Sequence, residues 1–435
     1  MTHSPRRPSF HLSPPRGRLN DPNGLIRHDG RWHAFYQLDP DFPRLPKRTG
    51  WGHAVSDDLL TWTHRPQALF PDQNYDSNGC YSGCALPTPD GVELFYTGNV
   101  KDAEGTRAAH QCLATGLEHP TKSPLNPLIA TPAPGHTAHF RDPHVTEVSP
   151  GRWRMLIGAQ TTAGTGGIVM YESSDRRDWG KGRPLRFEGP IPGGHMWECP
   201  NLLRLVDDED GQTYDVLIIC PQGIRRDEGD IWRNRYQCGY LVGHLADDVF
   251  TVTTPFTELD HGFEFYAPQI FAGTDRAIML GWLGNPEEDD HPTLEEGWVH
   301  CLSAPRELSL RRGHLHQTLI TPGDLPEQGP AARVVIEPGQ QVLLRDPDDP
   351  ANTVTVTLSD TTLEVTRDCP LVDNPFGDTR RTTLRHPSAA SVMVDHSVVE
   401  VQTLDGRAVF SLRTFTHGQP WNILCQTMDT TGDPT

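Results

Sequence analysis

Glycine and proline punctuate this chain throughout, and the short runs between them are rich in β-branched and aromatic residues. The 435 residues include 40 Gly and 40 Pro. Gly tolerates positive φ and Pro lacks a backbone donor, so both favour turns and interrupt helices. β-branched and aromatic side chains favour strands. Long amphipathic helical patterns are absent from the sequence, so we predict an all-β fold with many turns.

The predicted strands occur in five successive groups, each spanning about 40–60 residues. The groups contain runs at 32–37 and 52–56; 81–86, 92–97 and 111–114; 144–148, 153–157 and 168–171; 201–206, 216–219 and 240–243; and 267–271, 277–280 and 300–303. Ser-Asp precedes a Trp at similar spacing in two groups, at 56–62 and 174–179. Radial repetition of this kind predicts a five-bladed β-propeller, with a β-sandwich as the main alternative.

The sequence changes character near residue 312. A segment rich in Pro, Gly and acidic residues at 321–330 is typical of a linker. Beyond it, Thr-Val-Thr-Val-Thr-Leu at 353–358 alternates polar and apolar residues, as a strand with one buried face does. We predict a propeller over residues 1–312, a linker over 313–330 and a β-sandwich over 331–435.

Charge and composition exclude several classes of partner. The chain has 38 basic and 57 acidic residues, a net charge of -19, which disfavours nucleic acid and anionic membranes and leaves small neutral ligands as the better fit. The first residues lack the apolar run of a secretory signal, and no stretch is long enough to cross a bilayer. We therefore expect a cytoplasmic protein.

Metal and disulfide chemistry are not indicated. The nine Cys are scattered and include no Cys-x-x-Cys pair, which disfavours a disulfide framework or a structural zinc site. The 21 His contain no His-Glu-x-x-His pattern. We expect no metal and no cofactor.

Three acidic residues stand out by their surroundings. Asp21 lies in Leu-Asn-Asp-Pro-Asn-Gly, Asp142 in Phe-Arg-Asp-Pro-His and Glu198 in Met-Trp-Glu-Cys-Pro-Asn. Each alone is compatible with a turn or an exposed charge, and the segment 11–24 in particular is predicted to be a tight loop before the first strand. In a propeller, however, the first strands line a central channel, where the three could converge for glycosidic bond cleavage.

The motifs together resemble glycoside hydrolase family 32, the invertase and β-fructofuranosidase family. The segment 11–24 fits the family's nucleophile loop at every fixed position. Further matches are Phe-Tyr-Gln at 35–37, Trp-Gly-His-Ala at 51–54, Tyr-Ser-Gly at 81–83, Phe-Tyr-Thr-Gly at 95–98, Phe-Arg-Asp-Pro at 140–143, Trp-Glu-Cys at 197–199, Phe-Tyr-Ala-Pro-Gln at 265–269, and segments 297–300, 305–308, 394–395 and 397–400. This resemblance implies a five-bladed propeller followed by a β-sandwich.

The resemblance also implies roles for individual residues. Asp21 would be the nucleophile, Glu198 the general acid/base and Asp142 the stabiliser of the transition state. On physical grounds we also expect Arg141 within reach of Asp21, where its charge would keep that carboxylate ionised. The sugar-contacting positions would be Asn20, Gln37, Trp51, Ser82 and Arg141, with Tyr81, Tyr266 and Trp282 as apolar or stacking walls.

The substrate is left open by the sequence. Segments 221–223 and 236–243 look most like the intracellular bacterial branch, which hydrolyses sucrose or sucrose 6-phosphate, and short fructo-oligosaccharides are a further option. Fructosyl transfer and non-catalytic carbohydrate binding are the alternative functions. Two basic clusters could hold a phosphate or be solvated loops: Arg44, Lys47 and Arg48; and Arg225, Arg226, Arg233 and Arg235. A sandwich packed on a propeller would also offer surface for self-association into a homo-oligomer.

Overall fold

The computed structural model describes residues 4–224, 234–286, 291–374 and 377–428. Within these ranges the chain forms 32 strands and one short 3₁₀ helix, Pro292–Glu296, so the all-β prediction is confirmed. No helix in the described ranges is long and apolar enough to cross a membrane.

The first 23 strands form five sheets of four or five strands each. Three sheets come first along the chain, with strands β1 Gly17–His28, β2 Arg31–Asp39, β3 Gly50–Ser56 and β4 Thr63–Leu69; β5 Cys80–Thr88, β6 Gly91–Lys101, β7 Arg107–Thr115 and β8 Thr121–Lys122; and β9 His136–Ser149, β10 Arg152–Thr161, β11 Gly166–Ser173 and β12 Arg183–Pro184. Neighbours within each set pair antiparallel, as short hairpin connections require.

Two further sheets follow. Their strands are β13 Arg186–Glu188, β14 Met196–Val206, β15 Thr213–Gln222, β16 Gly239–Ala246 and β17 Val249–Glu258; and β18 Tyr266–Ile270, β19 Ile278–Leu283, β21 Cys301–Leu302, β22 Arg306–Arg311 and β23 His314–Leu319. The two-residue strand β20, Trp298–Val299, does not belong to the fifth sheet. It pairs parallel with β1 and so adds a strand from late in the sequence to the first sheet.

The first strands of the five sheets contact one another in a closed series. Strand β1 contacts β5, β5 contacts β9, β9 contacts β14, β14 contacts β18, and β18 returns to β1. Each of these strands lies at or near the edge of its own sheet. The series brings residues that are far apart in the sequence to a common centre.

The remaining nine strands form two sheets that share one core. They are β24 Ala331–Ile336, β25 Gln340–Arg345, β26 Thr353–Leu358, β27 Thr362–Asp368, β28 Thr379–Thr383, β29 Ala390–Asp395, β30 Val398–Thr403, β31 Val409–Arg413 and β32 Asn422–Thr427. Val354, Val356 and Leu358 are buried and the intervening Thr are partly exposed, which confirms the predicted one-sided strand. Both sheets contribute apolar side chains to this core.

Two segments differ from their predicted conformation. The segment 11–24 was predicted to be a tight loop, which is wrong over its second half, because Gly17–His28 is one strand paired with β2. Within the predicted linker, 313–330, the strand His314–Leu319 pairs antiparallel with Arg306–Arg311.

A buried group of charged side chains connects the segment before β1 to the two later sheets. His11 Nδ1 lies 2.8 Å from Asp395 Oδ2, and His11 Nε2 lies 3.1 Å from Glu400 Oε2. Arg306 Nη2 donates to Glu400 Oε1 at 3.0 Å and to Asp260 Oδ2 at 2.8 Å. These residues are called the His11 cluster below. Every charge in it faces a partner of opposite sign.

Candidate active site

A cleft of about 400 Å³ opens where the first strands of the five sheets meet. Each of those strands contributes to its lining. The lining residues are Arg18, Asn20, Asp21, Gln37, Lys47, Tyr81, Arg107, Arg141, Asp142, Glu198, Gln222, Tyr266, Trp282 and Pro286. All three predicted carboxylates therefore face one space, although more than 170 residues separate the first from the last.

Each first strand has a register shift at the point where it reaches the cleft. The shifts lie between Leu19 and Pro22, Tyr81 and Gly83, Arg141 and His144, Glu198 and Asn201, and Tyr266 and Gln269. In four of the five strands a proline follows directly at the shift: Pro22, Pro143, Pro200 and Pro268. Because proline cannot donate to the ladder, pairing is interrupted there and the strand bulges. Bulges re-aim side chains, which directs the carboxylates into the cleft.

Asp21 sits on β1 and is held by neutral donors. Its Oδ2 accepts hydrogen bonds from Ser82 Oγ at 2.5 Å and from Gln37 Nε2 at 3.1 Å. Burial raises the pKa of Asp21 to about 6; the hydrogen bond from Ser82 acts in the opposite direction, and the negative charge of Glu198 adds to the rise. Asp21 is thus predominantly ionised at neutral pH, and its pKa lies only about one unit below that pH.

Asp142 is in an unusual backbone conformation on β9. Its φ is +66°, in the left-handed region that few residues other than Gly adopt. The backbone N–H of Asp142 donates to Thr97 Oγ1 at 2.9 Å, and its Oδ2 accepts from the backbone N–H of Cys199 at 3.1 Å. Burial raises the pKa of Asp142, with Arg141 opposing the rise and Glu198 and Asp21 adding to it. The bond from Cys199 holds the carboxylate in the cleft that it shares with Asp21 and Glu198.

Glu198 has the largest number of polar partners in the cleft. Arg141 Nε and Nη2 approach its Oε1 at 2.7 and 2.6 Å. Its Oε2 accepts from Tyr266 Oη at 2.8 Å and from Gln222 Nε2. We expected Arg141 near Asp21, but its guanidinium binds Glu198, because β9 and β14 adjoin directly. Both guanidinium nitrogens contact the same oxygen, Oε1, and neutral donors hold Oε2, so together these bonds fix the position of the carboxylate.

The predicted sugar-contacting residues divide into two groups. Asn20, Gln37, Tyr81, Arg141, Tyr266 and Trp282 line the cleft. Trp51 and Ser82 are completely buried beside it: Trp51 Nε1 donates to the backbone carbonyl of Tyr81 at 3.1 Å, and Ser82 binds Asp21. We therefore assign these two to supporting the lining rather than forming it.

Two polar atoms beside the cleft lack protein partners. Asn20 Oδ1 and Trp282 Nε1 are buried, and no group in the described ranges forms a hydrogen bond with either. A buried polar atom without a partner costs free energy. A ligand rich in hydroxyl groups could satisfy both.

Four polar lining residues were not predicted as site residues. They are Arg18, Lys47, Arg107 and Gln222. Lys47 and Gln222 did belong to segments noted for other reasons, whereas Arg18 and Arg107 carried no signal, because single basic residues on strands are common. Of the second basic cluster, Arg225, Arg226 and Arg233 lie outside the described residues. Within the described ranges, no group of three or more His, Cys, Asp or Glu is arranged to hold a metal ion.

Comparison with known sequences matches the chain to one family. Residues 11–320 match the glycosyl hydrolases family 32 N-terminal domain. The sucrose-6-phosphate hydrolase of Bacillus subtilis (strain 168) is 42% identical over 322 residues, which cover 70% of this chain and 63% of that protein. The Pediococcus pentosaceus sucrose-6-phosphate hydrolase is 35% identical over 456 residues, covering 97% of this chain and 88% of that one. The chain thus spans under two thirds of the first of these relatives.

Solved structures agree. The sucrose-6-phosphate hydrolase from Lactobacillus gasseri superposes with a TM-score of 0.83 at 29% identity, covering 97% of this chain and 91% of that one. A Bombyx mori GH32 beta-fructofuranosidase superposes with a TM-score of 0.81 at 28% identity, covering 98% and 94%. A match over residues 11–320, most of the chain, is sufficient to establish membership. This chain belongs to glycoside hydrolase family 32.

Proposed function

We propose that this chain is a retaining β-fructofuranosidase that hydrolyses the terminal β-D-fructofuranosyl bond of sucrose, sucrose 6-phosphate or short fructo-oligosaccharides. The observation that carries the proposal is the convergence of Asp21, Asp142 and Glu198 in one cleft that aromatic, amide and basic side chains also line. Family membership and relatives named sucrose-6-phosphate hydrolases support it. So does a structural neighbour, a Bombyx mori GH32 beta-fructofuranosidase variant described in complex with sucrose.

In the proposed first step, Asp21 attacks the anomeric carbon of the fructosyl group and Glu198 gives a proton to the departing glycosidic oxygen. A covalent fructosyl-enzyme forms and the other sugar leaves. Glu198, now ionised, then removes a proton from water, which attacks the same carbon and releases fructose and free Asp21. A retaining mechanism of this type places the two carboxyl groups about 5–5.5 Å apart.

The surrounding groups suit these roles. Gln37 and Ser82 donate hydrogen bonds to Asp21 without carrying a charge, so the negative charge of Asp21 remains available for attack. Arg141 and Tyr266 hold Glu198 where it must both give and receive a proton. Asp142, which lines the same cleft, would accept hydrogen bonds from fructose hydroxyls and stabilise positive charge in the transition state.

The proposal includes an architecture. We propose that the five sheets are the blades of a β-propeller around the cleft and that the two later sheets form a β-sandwich. The closed series of contacts among first strands supports the propeller, and the shared core of the later sheets supports the sandwich. We propose a sandwich domain over 331–435 and a propeller domain that continues beyond the predicted bound at 312, because His314–Leu319 extends the last blade. A cytoplasmic location accompanies the proposal, because phosphorylated sugars do not leave the cell readily.

Release of sugars from sucrose tests the proposal. The purified protein should produce fructose and glucose in equal amounts from sucrose, and Glu307→Gln, which alters an exposed carboxylate paired with Arg276, should do the same. Binding without release would indicate a carbohydrate-binding protein. Product analysis at high sucrose separates hydrolysis from transfer, since a transferase would accumulate fructosylated trisaccharides and release glucose in excess.

A further inference from the structure

The side chain of Gln222 contacts the carboxylate that is proposed to give and receive the proton. Its Nε2 donates to Glu198 Oε2, the oxygen that also accepts from Tyr266 Oη at 2.8 Å. The other oxygen, Oε1, contacts two nitrogens of the Arg141 guanidinium. A proton on Oε1 would face two N–H groups of a cation, so the proton of Glu198 is carried on Oε2.

The two donors to Oε2 respond differently when that oxygen is protonated. The Tyr266 hydroxyl can rotate, and the backbone carbonyl of Cys220, 3.4 Å from it, is a second acceptor. Burial, with the charge of Glu198 adding to it, holds the pKa of Tyr266 well above its ordinary value of 10, so the hydroxyl retains its proton. An amide N–H cannot rotate in this way, because its hydrogen lies in the amide plane. Gln222 therefore occupies one side of Oε2 while Tyr266 leaves the other side to the proton.

The position of Gln222 is set by the backbone at the end of β15. Gln222 pairs with Met196 in the β14–β15 ladder, and its carbonyl accepts from the backbone N–H of His195 at 2.9 Å. In the same ladder Glu198 pairs with Cys220, two residues before Gln222. Moving Gln222 relative to Glu198 would break this pairing, so the amide donor is in place before a substrate binds.

We propose that Gln222 is a positioning residue for proton transfer: its amide fixes the rotation of the Glu198 carboxyl group, so that the proton on Oε2 points into the cleft at the departing oxygen. The inference rests on the proposed function and adds a residue to it. In the first step Asp21 bonds to the anomeric carbon and the glycosidic bond breaks. Its electron pair stays on the departing oxygen, which takes the Oε2 proton. The Tyr266 hydroxyl then turns back to the ionised Oε2, and Gln222 neither gains nor loses a proton.

Three substrates distinguish this role from the alternatives. Sucrose has a poor leaving group that is a sugar, methyl β-D-fructofuranoside has a poor leaving group that is not a sugar, and a nitrophenyl β-D-fructofuranoside has a good leaving group that departs without a proton. The quantity measured is kcat/KM, which reports formation of the fructosyl-enzyme. Gln222→Met keeps the length of the side chain and removes the amide. We expect it to lower kcat/KM about tenfold or more for the first two substrates and less than about twofold for the third, the effect of losing a hydrogen bond to a charged group.

Two further variants accompany this measurement, with circular dichroism as a check of folding. Gln212→Met is the matched control, because Gln212 is exposed in the turn at the opposite end of the β14–β15 hairpin, and all three values should be unchanged. Gln222→Glu keeps the length and the polar end but places a carboxylate against Glu198. It should lower the values for sucrose and the methyl fructoside more than Gln222→Met does, again with the smallest loss on the nitrophenyl substrate.

The other patterns would overturn the proposal. Equal losses on all three substrates would assign Gln222 a structural role, and a loss on sucrose alone would show that Gln222 binds the leaving sugar. Unchanged values for every substrate would show that the hydrogen bond to Glu198 has no part in the reaction. All three results leave fructoside hydrolysis intact. If the unmodified protein cleaves none of the three substrates, the proposed function fails, and the role of Gln222 fails with it.

Discussion

Two buried clusters of acidic residues differ in how far neighbouring cations neutralise their negative charge. Among the described residues, the cation in contact with the cleft carboxylates Asp21, Asp142 and Glu198 is Arg141, which binds Glu198. In the His11 cluster, both Asp395 and Glu400 contact His11, and Glu400 also contacts Arg306. Within the part of the chain that the structure describes, Asp21 and Asp142 therefore have no cation in contact, whereas every carboxylate of the His11 cluster has one.

The pKa values follow this difference. Burial raises the pKa of Asp21 and Asp142. Burial also opposes ionisation of Asp395 and Glu400, but hydrogen bonds from His11 outweigh it and lower the pKa of both. The His11 side chain responds in the same sense: burial opposes its charge, yet the two carboxylates raise its pKa to about 9. Balanced charges stabilise a fold, whereas unbalanced ones are typical of a site completed by substrate.

Replacing the carboxylates in the cleft should have the largest effect on activity. We expect Asp21→Asn and Glu198→Gln each to lower kcat for sucrose by about 10⁴-fold or more, since each removes a group that forms or breaks a bond. Steady-state kinetics with circular dichroism as a check of folding measures this. Near-normal turnover by either folded variant would refute the assignment, and Glu307→Gln serves as the exposed control.

Replacing His11 should have the largest effect on stability. His11→Ala leaves Asp395 and Glu400 facing each other without the imidazolium, and we expect it to lower the free energy of unfolding by about 3–5 kcal/mol at pH 6. Urea denaturation measures the change. The control His28→Ala removes a partly exposed histidine on β1, where a change within about 0.5 kcal/mol is expected. Equal losses in the two variants would contradict the balanced-charge interpretation.

The pH dependence of activity should report Asp21. Because the nucleophile must be ionised and its pKa is about 6, kcat/KM should decline below pH 6, approaching a tenfold loss per pH unit. Ser82 donates to Asp21 and lowers its pKa, so Ser82→Ala should move this decline to higher pH. Rate profiles of the two proteins test this, and a shift to lower pH would exclude the proposed role of the Ser82 hydrogen bond.

The smallest expected effect is a pH-dependent gain in stability. The pKa of Asp21 is about 6 in the folded protein against an ordinary value of 3.8, so its ionisation destabilises the fold progressively as pH rises through this window. Asp21→Asn should therefore raise Tm above pH 6 and lose this advantage towards pH 4. The His11 cluster acts in another window, since its stabilisation is lost as pH rises from about 6.5 towards 9. A gain in Tm that is the same at every pH would argue against a buried charge at Asp21.

Much of the fold could be predicted from the sequence, because strand periodicity and turn residues are local signals. The alternation at Thr353–Leu358 correctly predicted a strand with one buried face. The same local reasoning gave the wrong backbone conformation around Asp21, since Asp-Pro and Asn-Gly indicate a turn when read alone. In the fold, Pro22 marks a bulge inside a strand, and the recurrence of Pro at the register shifts in β9, β14 and β18 is apparent only once the strands are aligned in space.

The candidate site, like the fold, could be predicted from the sequence only in part. Motif resemblance indicated the three carboxylates, and the structure places them together in the cleft. Resemblance did not indicate that Arg141 would bind Glu198, because that contact depends on how β9 meets β14. Nor could it single out Arg18 and Arg107, whose position on the cleft wall depends on how the first two sheets are placed.

Trapping the covalent intermediate tests the central claim most directly. Glu198→Gln, incubated with a fructoside that carries a good leaving group, should accumulate a fructosyl-enzyme, since the attack by Asp21 survives while the general base is absent. Intact-mass and peptide analysis of the quenched protein should locate one hexosyl group on the peptide that contains Asp21. An adduct on a different carboxylate, or release of the inverted fructose anomer with no adduct, would contradict the assignment of Asp21 as the nucleophile.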